Sequence, residues 1–309
     1  MKKITFAIIG PETENTLDLE KEILKNGHSC IVFQLKDLEV VFSEKKTSIF
    51  FEKRDLLDSV DIFIFRAYNK NFVFAEVLVK ELLTNGKTVI DEAIGREMIP
   101  SKLNEASQFV FSGLKHPKTY QALSWNSWKR ILEKVRFPLI AKPIYGQKGQ
   151  DITKIESEKE YTSFFKKNPK GYLLQEFFEI SHDLRIFVVN KKVLGGIKRH
   201  IIKNDFRSNA SLGAKIEKVK ITPGIERVAR KAAEAMKYEI AGVDLIETNN
   251  AFYVLEVNSS PQWQAFKKYT KINPAEAIIK YALQKHALLK NRSLNYAKNN
   301  HSPAEAKIQ

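Results

Sequence analysis

The pattern of apolar and polar residues in the first hundred positions predicts strands and helices in alternation. Short apolar runs predict strands and apolar residues three and four apart predict helices, while Gly27 and Gly86 are typical of helix ends. The predicted strands are 4–9, 29–35, 61–66 and 88–90, and the predicted helices are 12–25 and 72–83. Alternation of this kind indicates an open parallel sheet. The first turn, GPETEN, lacks the GxGxxG spacing of a dinucleotide site.

From about residue 101 the pattern changes to helices separated by extended segments and hairpins. A long hairpin is predicted in DLRIFVVNKKVLGGIKRH, with its turn at 190–192. The predicted helices are 102–114, 125–135, 158–167, 223–237 and 274–289. After Lys290 the sequence is polar, and we expect residues 290–309 to form a disordered tail.

Three oxygen-bearing side chains lie in the segment AGVDLIETNNAFYVLEVNSSP. Glu256 and Asn258 are two apart in an apolar strand, so both point to one face. Asp244 lies in the preceding apolar run, and TNNA between the runs predicts a hairpin loop. Carboxylates that converge on a sheet are costly to bury unless a positive charge lies between them. Hard oxygen ligands suit magnesium carried by a nucleotide; the alternative is a surface hairpin with its polar face in water.

The register of this hairpin decides between the two interpretations. With a two-residue turn at Asn249 and Asn250, Asp244 shares a face with Leu255 rather than with Glu256. A three-residue loop or a β-bulge sets Asp244 directly opposite Glu256. The magnesium interpretation therefore predicts an odd-length or bulged connection.

Charge is distributed unevenly along the 309 residues, whose formal net charge is +15. Residues 1–100 hold 14 Lys and Arg against 17 Asp and Glu, whereas residues 101–285 hold 33 against 18. The basic character thus coincides with the segment that carries the three oxygen-bearing residues. Such a field attracts nucleotide phosphates, an acidic peptide or nucleic acid; the alternative is a lysine-rich solvated surface.

Composition limits the class of protein. A hydrophobic content of 43% over this length allows a large core with two or three subdomains. The single cysteine, Cys30, excludes an internal disulfide, and no Cys and His cluster indicates zinc. The apolar run near the start is too short for a signal peptide or a membrane span. We therefore expect a soluble, cytoplasmic protein without membrane association.

Other segments carry residues suited to phosphate and nucleotide binding. Lys142 ends an apolar strand in FPLIAKPIYGQKGQDI, and Gly146 and Gly149 would let the following loop close over a phosphate chain. The strand end in YLLQEFFEISHDLRIF carries aromatic and acidic groups that would suit a purine and a ribose. A plain turn and an ordinary core strand are the respective alternatives. Arg199 at the far end of the long hairpin and Arg207 in the following loop are suited to bidentate binding of carboxylate or phosphate.

In chain order these segments resemble the ATP-grasp ligases, and specifically their RimK-like branch. The resemblance covers residues 101–285 and rests on KPIYGQKG, QEFFEISHDLR, GGIKR, NDFRSN, AGVDLIE and LEVNSSP. It implies an α/β (α+β grasp) fold of three subdomains. These are an N-terminal open parallel α/β pre-grasp subdomain (1–100) and an ATP-grasp domain (101–289). The latter would divide into a central ATP-binding subdomain (about 101–180) and a C-terminal subdomain (about 181–289).

The resemblance also implies a reaction. A substrate carboxylate attacks the γ-phosphate of ATP to give an acylphosphate and ADP, and an amine, typically that of an amino acid such as glutamate, then displaces phosphate to form an amide. Enzymes of this kind act by positioning and charge neutralisation. The expected cofactors are ATP and Mg²⁺, with Mn²⁺ as the alternative ion.

The family's functional positions are carried over residue by residue. Those matching phosphate and nucleotide binding are Lys102, Lys142, Gly146, Gly149, Arg207 and Asn209, with Glu176 and Phe177 on the adenine side and Asp183 on the ribose side. Those matching catalytic, anion-binding arginines are Arg199 and Arg207. Those matching magnesium ligands are Asp244, Glu256 and Asn258.

The chain departs from the family pattern in three places, one of which is a loop between Glu176 and Asp183 that is shorter than in the ribosome-modifying members. Asp151 stands where relatives keep a third glycine in the phosphate loop, and QWQAF follows EVNSSP where relatives have a small Gly-Leu turn. We expect the Trp263 loop to border the acceptor site and the acceptor to differ from that of the ribosome-modifying members.

The leading interpretation is a ligase that adds an amino acid, for example glutamate, to a protein or small-molecule carboxylate. A coenzyme-glutamylating or amino-acid-biosynthetic ligase is the alternative within this class. A basic nucleic-acid-binding protein is the alternative from another class, but it leaves the magnesium-type residues unexplained. The positive field predicts an anionic acceptor such as an acidic peptide terminus or a polycarboxylate coenzyme. Homo-oligomerisation is left open.

Overall fold

The structure, a computed structural model, describes residues 3–66, 68, 71–96, 100–146, 151–201, 215–248 and 251–300, with side chains up to Arg292. The strands are β1 (Thr5–Ile9), β2 (Ser29–Phe33), β3 (Leu38–Phe42), β4 (Thr47–Phe51), β5 (Arg54–Asp55), β6 (Ile62–Phe65), β7 (Thr88–Ile90), β8 (Thr119–Gln121), β9 (Leu139–Pro143), β10 (Thr153–Ile155), β11 (Tyr172–Glu176), β12 (His182–Val189), β13 (Lys192–His200), β14 (Ile216–Val219), β15 (Ile240–Thr248) and β16 (Ala251–Asn258). The α-helices are α1 (Glu14–Lys25), α2 (Leu56–Ser59), α3 (Phe72–Thr84), α4 (Lys102–Phe111), α5 (Trp125–Leu132), α6 (Glu158–Lys167), α7 (Pro223–Ala235), α8 (Gln264–Thr270) and α9 (Pro274–Asn300).

The chain divides into two units, one of residues 1–90 with 275–309 and the other of residues 91–274. The first unit contains the predicted parallel sheet, in strand order β2-β1-β6-β7. Its central strands are buried on both faces, as parallel strands flanked by helices must be. A small antiparallel sheet, β3-β4-β5, was not predicted, because its strands are short and β3 is largely exposed.

The C-terminal helix belongs to this first unit. Thr88 Oγ1 lies 2.8 Å from His286 Nδ1, and Lys285 Nζ donates to the Val89 carbonyl at 2.8 Å. These contacts tie α9 to β7. Residues 275–289 therefore belong to the first unit, whereas the resemblance in the sequence implied a place in the C-terminal subdomain. The helix also continues through Asn300, past the predicted end at Leu289, while residues 301–309 of the predicted tail lie outside the described part.

The second unit contains a four-stranded antiparallel sheet in the order β10-β9-β11-β8. Helices α5 and α6 cover it through an aromatic core. Trp128 stacks on Phe165 with ring centroids 3.9 Å apart, and the Tyr161 hydroxyl donates to the Trp128 carbonyl at 2.9 Å. This sheet holds Lys142 on β9 and Glu176 at the end of β11.

A five-stranded antiparallel sheet, β14-β13-β12-β15-β16, forms the rest of the second unit. Helix α7 packs on one of its faces, where every second residue of β12 and β15 is apolar and buried. The core residues of these two strands on that face are Leu184, Ile186, Val188, Ala241, Val243 and Leu245. In the described residues, no helix is long and apolar enough to cross a membrane.

Candidate active site

The face of the five-stranded sheet opposite α7 carries charged residues. Asp183 and Arg185 alternate with the core residues of β12, and Arg185 pairs directly with Asp244 of the neighbouring strand β15. Arg199 of β13 pairs with Asp183. Strand pairing therefore gathers four charged side chains that are far apart in the sequence.

The predicted hairpin of β15 and β16 is present, and Asp244 lies directly opposite Glu256. Beside the turn, Thr248 pairs with Ala251, a register that would by itself place Asp244 opposite Leu255. A register shift between Asp244 and Leu245 marks a β-bulge in which β16 gains one residue. The predicted opposition is confirmed, and the extra residue lies within the strand rather than at the turn.

Core packing explains this bulge. Val254 and Val257 both lie in the core under α7 although they are three residues apart. A regular strand would turn them to opposite faces, because its side chains alternate with a period of two. The bulge resolves this conflict and leaves Glu256 and Asn258 on the charged face.

Ion pairs join the charged residues into one network. Arg185 Nη2 donates to Asp244 Oδ2 at 2.7 Å, and Arg185 Nε donates to Asp244 Oδ1. Arg199 Nε and Nη2 donate to the two oxygens of Asp183 at 2.7 and 2.5 Å. Arg199 Nη2 also lies 3.1 Å from Asp244 Oδ2. Asp183, Arg199 and Asp244 are buried, so these charges depend on one another for compensation.

This network sets the protonation of its members. Burial raises the pKa of Asp244, but the charges of Arg185 and Arg199 outweigh it and hold the pKa below its ordinary value. For Arg199, burial lowers the pKa, and the stronger attraction of Asp244 and Asp183 raises it above its ordinary value. Both groups are therefore charged at neutral pH.

Two lysines predicted to bind phosphate lie beside Glu256. The Lys102 backbone N–H donates to Ile144 O at 3.0 Å, which fixes the start of α4 against the chain beyond β9. Lys102 Nζ donates to the Gly146 carbonyl at 3.3 Å and lies 3.9 Å from Glu256 Oε2. Burial, then the charge of Lys102, lowers the pKa of Lys142 to about 8. Crowded, part-buried cations of this kind suit an anionic ligand.

Glu105 joins these groups, although its role was not predicted. It lies one helical turn after Lys102 on the same face of α4. Burial, then the negative charge of Glu256, raises the pKa of Glu105 to about 8, while Lys102 and Lys142 oppose the shift. Acidic residues at spacing i, i+3 from a candidate lysine were the signal that would have identified it.

The predicted nucleotide side is partly described. Glu176 is exposed at the end of β11, and the Phe177 ring lies 5.0 Å from Lys154 Nζ. Asp151, which replaces a glycine of the family pattern, has φ +56°. That left-handed conformation is one that glycine adopts freely and aspartate adopts more readily than most residues. At Asp151 itself the backbone therefore has a conformation that a glycine would also adopt.

Four other residues were named from the sequence: Gly149, Arg207, Asn209 and Trp263. Gly149, Arg207 and Asn209 lie outside the described residues. The Trp263 side chain is fully buried, with its ring 6.1 Å from that of Phe187, so the indole itself is not presented to a substrate. That its loop borders the acceptor site stays a prediction. The apolar packing of this indole on the end of the sheet fixes α8, so its role is structural.

The donor set fits magnesium chemically. In the described part of the chain, no three His, Cys, Asp or Glu side chains converge as a metal cluster. Two carboxylates and one amide, from Asp244, Glu256 and Asn258, would leave the remaining positions to phosphate oxygens and water, as Mg²⁺ in nucleotide sites requires.

The sequence model of the RimK-like ATP-grasp domain matches residues 102–282. The chain belongs to the RimK-like ATP-grasp family. This RimK-like chain is thus a ligase of the class that forms carbon–nitrogen bonds, and the resemblance found in the sequence is confirmed.

Curated relatives of this RimK-like ligase carry a narrower description. A probable alpha-L-glutamate ligase of Legionella pneumophila is 32% identical over 218 residues, which cover 69% of this chain and 72% of the relative. A probable alpha-L-glutamate ligase 1 of Shewanella oneidensis is 29% identical over 278 residues, covering 88% and 92%.

Solved structures agree on the fold. The ATP-grasp ligase PsnB, complexed with a phosphomimetic variant of its minimal precursor, Mg and ADP, superimposes with a TM-score of 0.68. The match covers 92% of this chain and 99% of PsnB at 16% identity. The predicted fold class is therefore confirmed.

Proposed function

We propose that this RimK-like ligase uses ATP and Mg²⁺ to activate a substrate carboxylate as an acylphosphate and to join it to the amine of glutamate. The observation that carries the proposal is the bulged hairpin, which sets Asp244 opposite Glu256 with Asn258 on the same face. Two lysines adjoin this oxygen-rich face. Together they provide the mixed charge that a metal–phosphate group requires.

Each part of the site has an assigned task. Asp244, Glu256 and Asn258 would hold Mg²⁺, which supplies charge neutralisation on the transferred phosphate. Lys102 and Lys142 bind the phosphate chain. Lys102 Nζ also donates to the Gly146 carbonyl, which places this charge at the start of the phosphate loop.

The remaining nucleotide contacts come from β11 and the charged sheet face. Glu176 and Phe177 bind the adenine, with Gly146 and Gly149 in the phosphate loop and Asn209 near the phosphates. Asp183 binds the ribose, and Arg199 holds its carboxylate in place by donating to both of its oxygens. Its fixed orientation favours that task.

Arg199 and Arg207 orient the reacting carboxylate and stabilise charge as the phosphate is transferred. Arg199 is buried and held by two aspartates, so its guanidinium is already positioned before substrate binds. A preorganised cation costs little reorganisation during the reaction. In the sequence, Arg207 comes eight residues after Arg199, beyond the end of β13.

The relatives support glutamate as the amine donor, since those of Legionella and Shewanella are described as probable alpha-L-glutamate ligases. The PsnB complex holds a precursor peptide, which supports a peptide as the acceptor class. The excess of Lys and Arg in residues 101–285 favours an anionic acceptor. Family membership favours the ligase over the nucleic-acid-binding alternative.

A substrate panel tests the proposal. Purified protein, ATP and Mg²⁺ are combined with each amino acid and with carboxylates that include acidic peptides and polycarboxylate coenzymes, and ADP release is followed with the product mass. We expect ADP release that requires both partners, and a product heavier by one or more glutamate residues. ADP release that needs no amine would overturn the proposed two-substrate reaction. A product that carries another amino acid would overturn glutamate as the amine donor.

Salt dependence tests the acceptor class separately. Steering by exposed charges is screened over roughly 8–10 Å near physiological ionic strength. The apparent KM for the acceptor should therefore rise with salt, whereas Arg199→Ala should lower kcat at every salt concentration. An acceptor KM indifferent to salt would reject an anionic acceptor and leave the ligase assignment intact.

A further inference from the structure

The guanidinium of Arg185 is hydrogen-bonded to the carboxylate of Asp244, one of the groups that would hold the metal. Both oxygens of Asp244 accept from it, Oδ2 from Nη2 at 2.7 Å and Oδ1 from Nε. The two residues face each other on adjacent strands, so the pair is built into the register of β12 and β15. Side-by-side donation of this type is among the strongest pairings available to a carboxylate.

The space for this pair comes from a glycine. A Cβ at Gly242 would lie 3.2 Å from Arg185 Cδ and 2.7 Å from Pro261 Cβ. The Arg185 side chain therefore lies against the backbone two residues before Asp244 on the same sheet face. A larger residue there would displace either the arginine or the turn that follows Asn258.

The two arginines that reach Asp244 differ in their attachment. Arg199 places both ends of its fork on Asp183 and gives Asp244 one contact at 3.1 Å. The side-chain hydrogen bonds of Arg185 in the described residues both go to Asp244. Of the two, Arg185 can leave Asp244 without abandoning another carboxylate.

We propose that Arg185 is a placeholder cation, which neutralises Asp244 in the metal-free protein and yields part of this carboxylate when a divalent cation binds. Without it, Asp244 would face the site as a buried carboxylate whose remaining charged partner is Arg199, at 3.1 Å. With it, an incoming cation must displace a positive charge, which weakens metal binding until phosphates arrive. The released guanidinium can then turn its donors to an anion.

The inference rests on the proposed function, because it assumes that Asp244 is a metal ligand. Mn²⁺ serves as the probe, since it substitutes for Mg²⁺ on oxygen ligands and its binding is measured directly by paramagnetic resonance. The full-length protein is titrated with and without ADP. The variants are Arg185→Met, Arg185→Lys and Asp244→Asn, with Arg230→Met, on the exposed side of α7, as the matched control.

Arg185→Met should bind Mn²⁺ about tenfold more tightly than the wild type, because a nearby like charge has been removed. Arg185→Lys, which keeps the charge but loses the fork, should lie between the two, and Arg230→Met should match the wild type. Arg185→Met should also melt at a lower temperature, and Mn²⁺ should raise its Tm more than that of the wild type. This metal rescue separates a placeholder from a purely structural residue.

Different outcomes overturn different statements. If Arg185→Met is folded by circular dichroism but binds Mn²⁺ equally or more weakly, Arg185 is not a placeholder, while the proposed metal site stands. If Asp244→Asn binds Mn²⁺ like the wild type, with and without ADP, the metal site and this inference both fail. A variant that melts early and is not rescued by Mn²⁺ would also overturn the placeholder role.

Discussion

The two principal sheets of the molecule use their faces differently. In the parallel sheet of the first unit, β1 and β6 are buried on both faces, and residues such as Phe6, Ile8 and Phe63 have no exposed surface. In the five-stranded antiparallel sheet, one face is equally apolar, but the other carries Asp183, Arg185, Arg199, Asp244 and Glu256.

This difference follows from the way the strands are connected. Parallel strands need crossover helices, which cover both faces of the sheet and require apolar side chains on each. Antiparallel strands are joined by short turns, so helices need not cover both faces. Here α7 covers one face, and α8 packs on Phe187 at one end of the other. The second arrangement therefore offers a rigid surface on which side chains from several strands can converge, and it is here that the candidate chemistry lies.

The largest effect should come from the charged face. Glu256→Gln keeps the size of the side chain but removes a charge from the proposed metal site, and we expect turnover to fall about a thousandfold. Nucleotide binding, measured by calorimetry, should change much less. The matched control is Glu247→Gln, an exposed position on the same sheet, which should retain activity. Near-normal ADP release by Glu256→Gln would show that the charged face is not the reaction site.

The parallel sheet should respond in stability instead. Phe63→Ala removes a fully buried ring and should reduce the free energy of unfolding by about 3–5 kcal/mol. Val73→Ala on α3, where the side chain is 74% exposed, should change it by less than about 0.5 kcal/mol. Urea unfolding of both variants measures the difference. A large loss of turnover in folded Phe63→Ala would contradict the division of roles between the sheets.

A smaller effect is expected on the four-stranded sheet. Lys142→Ala removes a phosphate-binding cation and should weaken ATP binding by roughly 1.5–3 kcal/mol, the usual value of a charge-assisted contact. Calorimetric titration with a non-hydrolysable ATP analogue provides the measurement. Lys154→Ala, which removes a half-buried lysine from the neighbouring strand β10, is the control for general loss of positive charge. Equal weakening in both variants would argue against a specific role for Lys142.

The smallest effect is a pH dependence. Because burial and Lys102 lower the pKa of Lys142 to about 8, this lysine loses its proton above that pH in the nucleotide-free protein. The KM for ATP should be constant below about pH 8 and rise by a few fold above it. Lys142→Arg should flatten the rise, since arginine stays protonated. A rise that persists unchanged in Lys142→Arg would assign the titration to another group.

The same shift has a consequence for stability, with a defined sign. The pKa of Lys142 in the folded protein lies below its unfolded value of about 10.4. Charged Lys142 therefore disfavours folding below about pH 8, and this cost disappears as pH rises towards about 10. Lys142→Met should be stabilising at pH 7 and nearly neutral at pH 10, which thermal unfolding at the two pH values would show.

Sequence patterns predicted those features that depend on neighbours in the chain. The alternation of the first unit and the long β12–β13 hairpin follow from local periodicity and turn chemistry. The opposition of Asp244 and Glu256 was instead predicted as a condition of the magnesium interpretation, because the local pattern left the register open. The family motifs also pointed to a RimK-like ATP-grasp domain, which the comparisons confirmed. The antiparallel sheet β3-β4-β5 was missed because its strands carry weak alternation.

Features that depend on pairing between distant strands were beyond the sequence. Arg185 and Asp244 are 59 positions apart, and nothing local indicates that β12 pairs with β15. The place of α9 in the first unit likewise depends on contacts of Lys285 and His286 with β7. Nothing in the sequence indicated that the Trp263 indole is buried against Phe187, although its loop was singled out for departing from the family pattern.

The bulge between Val254 and Glu256 makes the site depend on a residue count as well as on residue identity. A strand has only two phases, so removing the extra residue, Leu255, would give a regular ladder in which Asp244 still pairs with Glu256 and the ligands keep their face. Inserting one residue between Val254 and Glu256 would instead turn Glu256 and Asn258 towards α7, because one bulge absorbs only one extra residue. Every ligand would still be encoded, but two of the three would point into the apolar core. A deletion and an insertion at the same point of this hairpin should therefore differ sharply, and length variants would reveal the site by its parity.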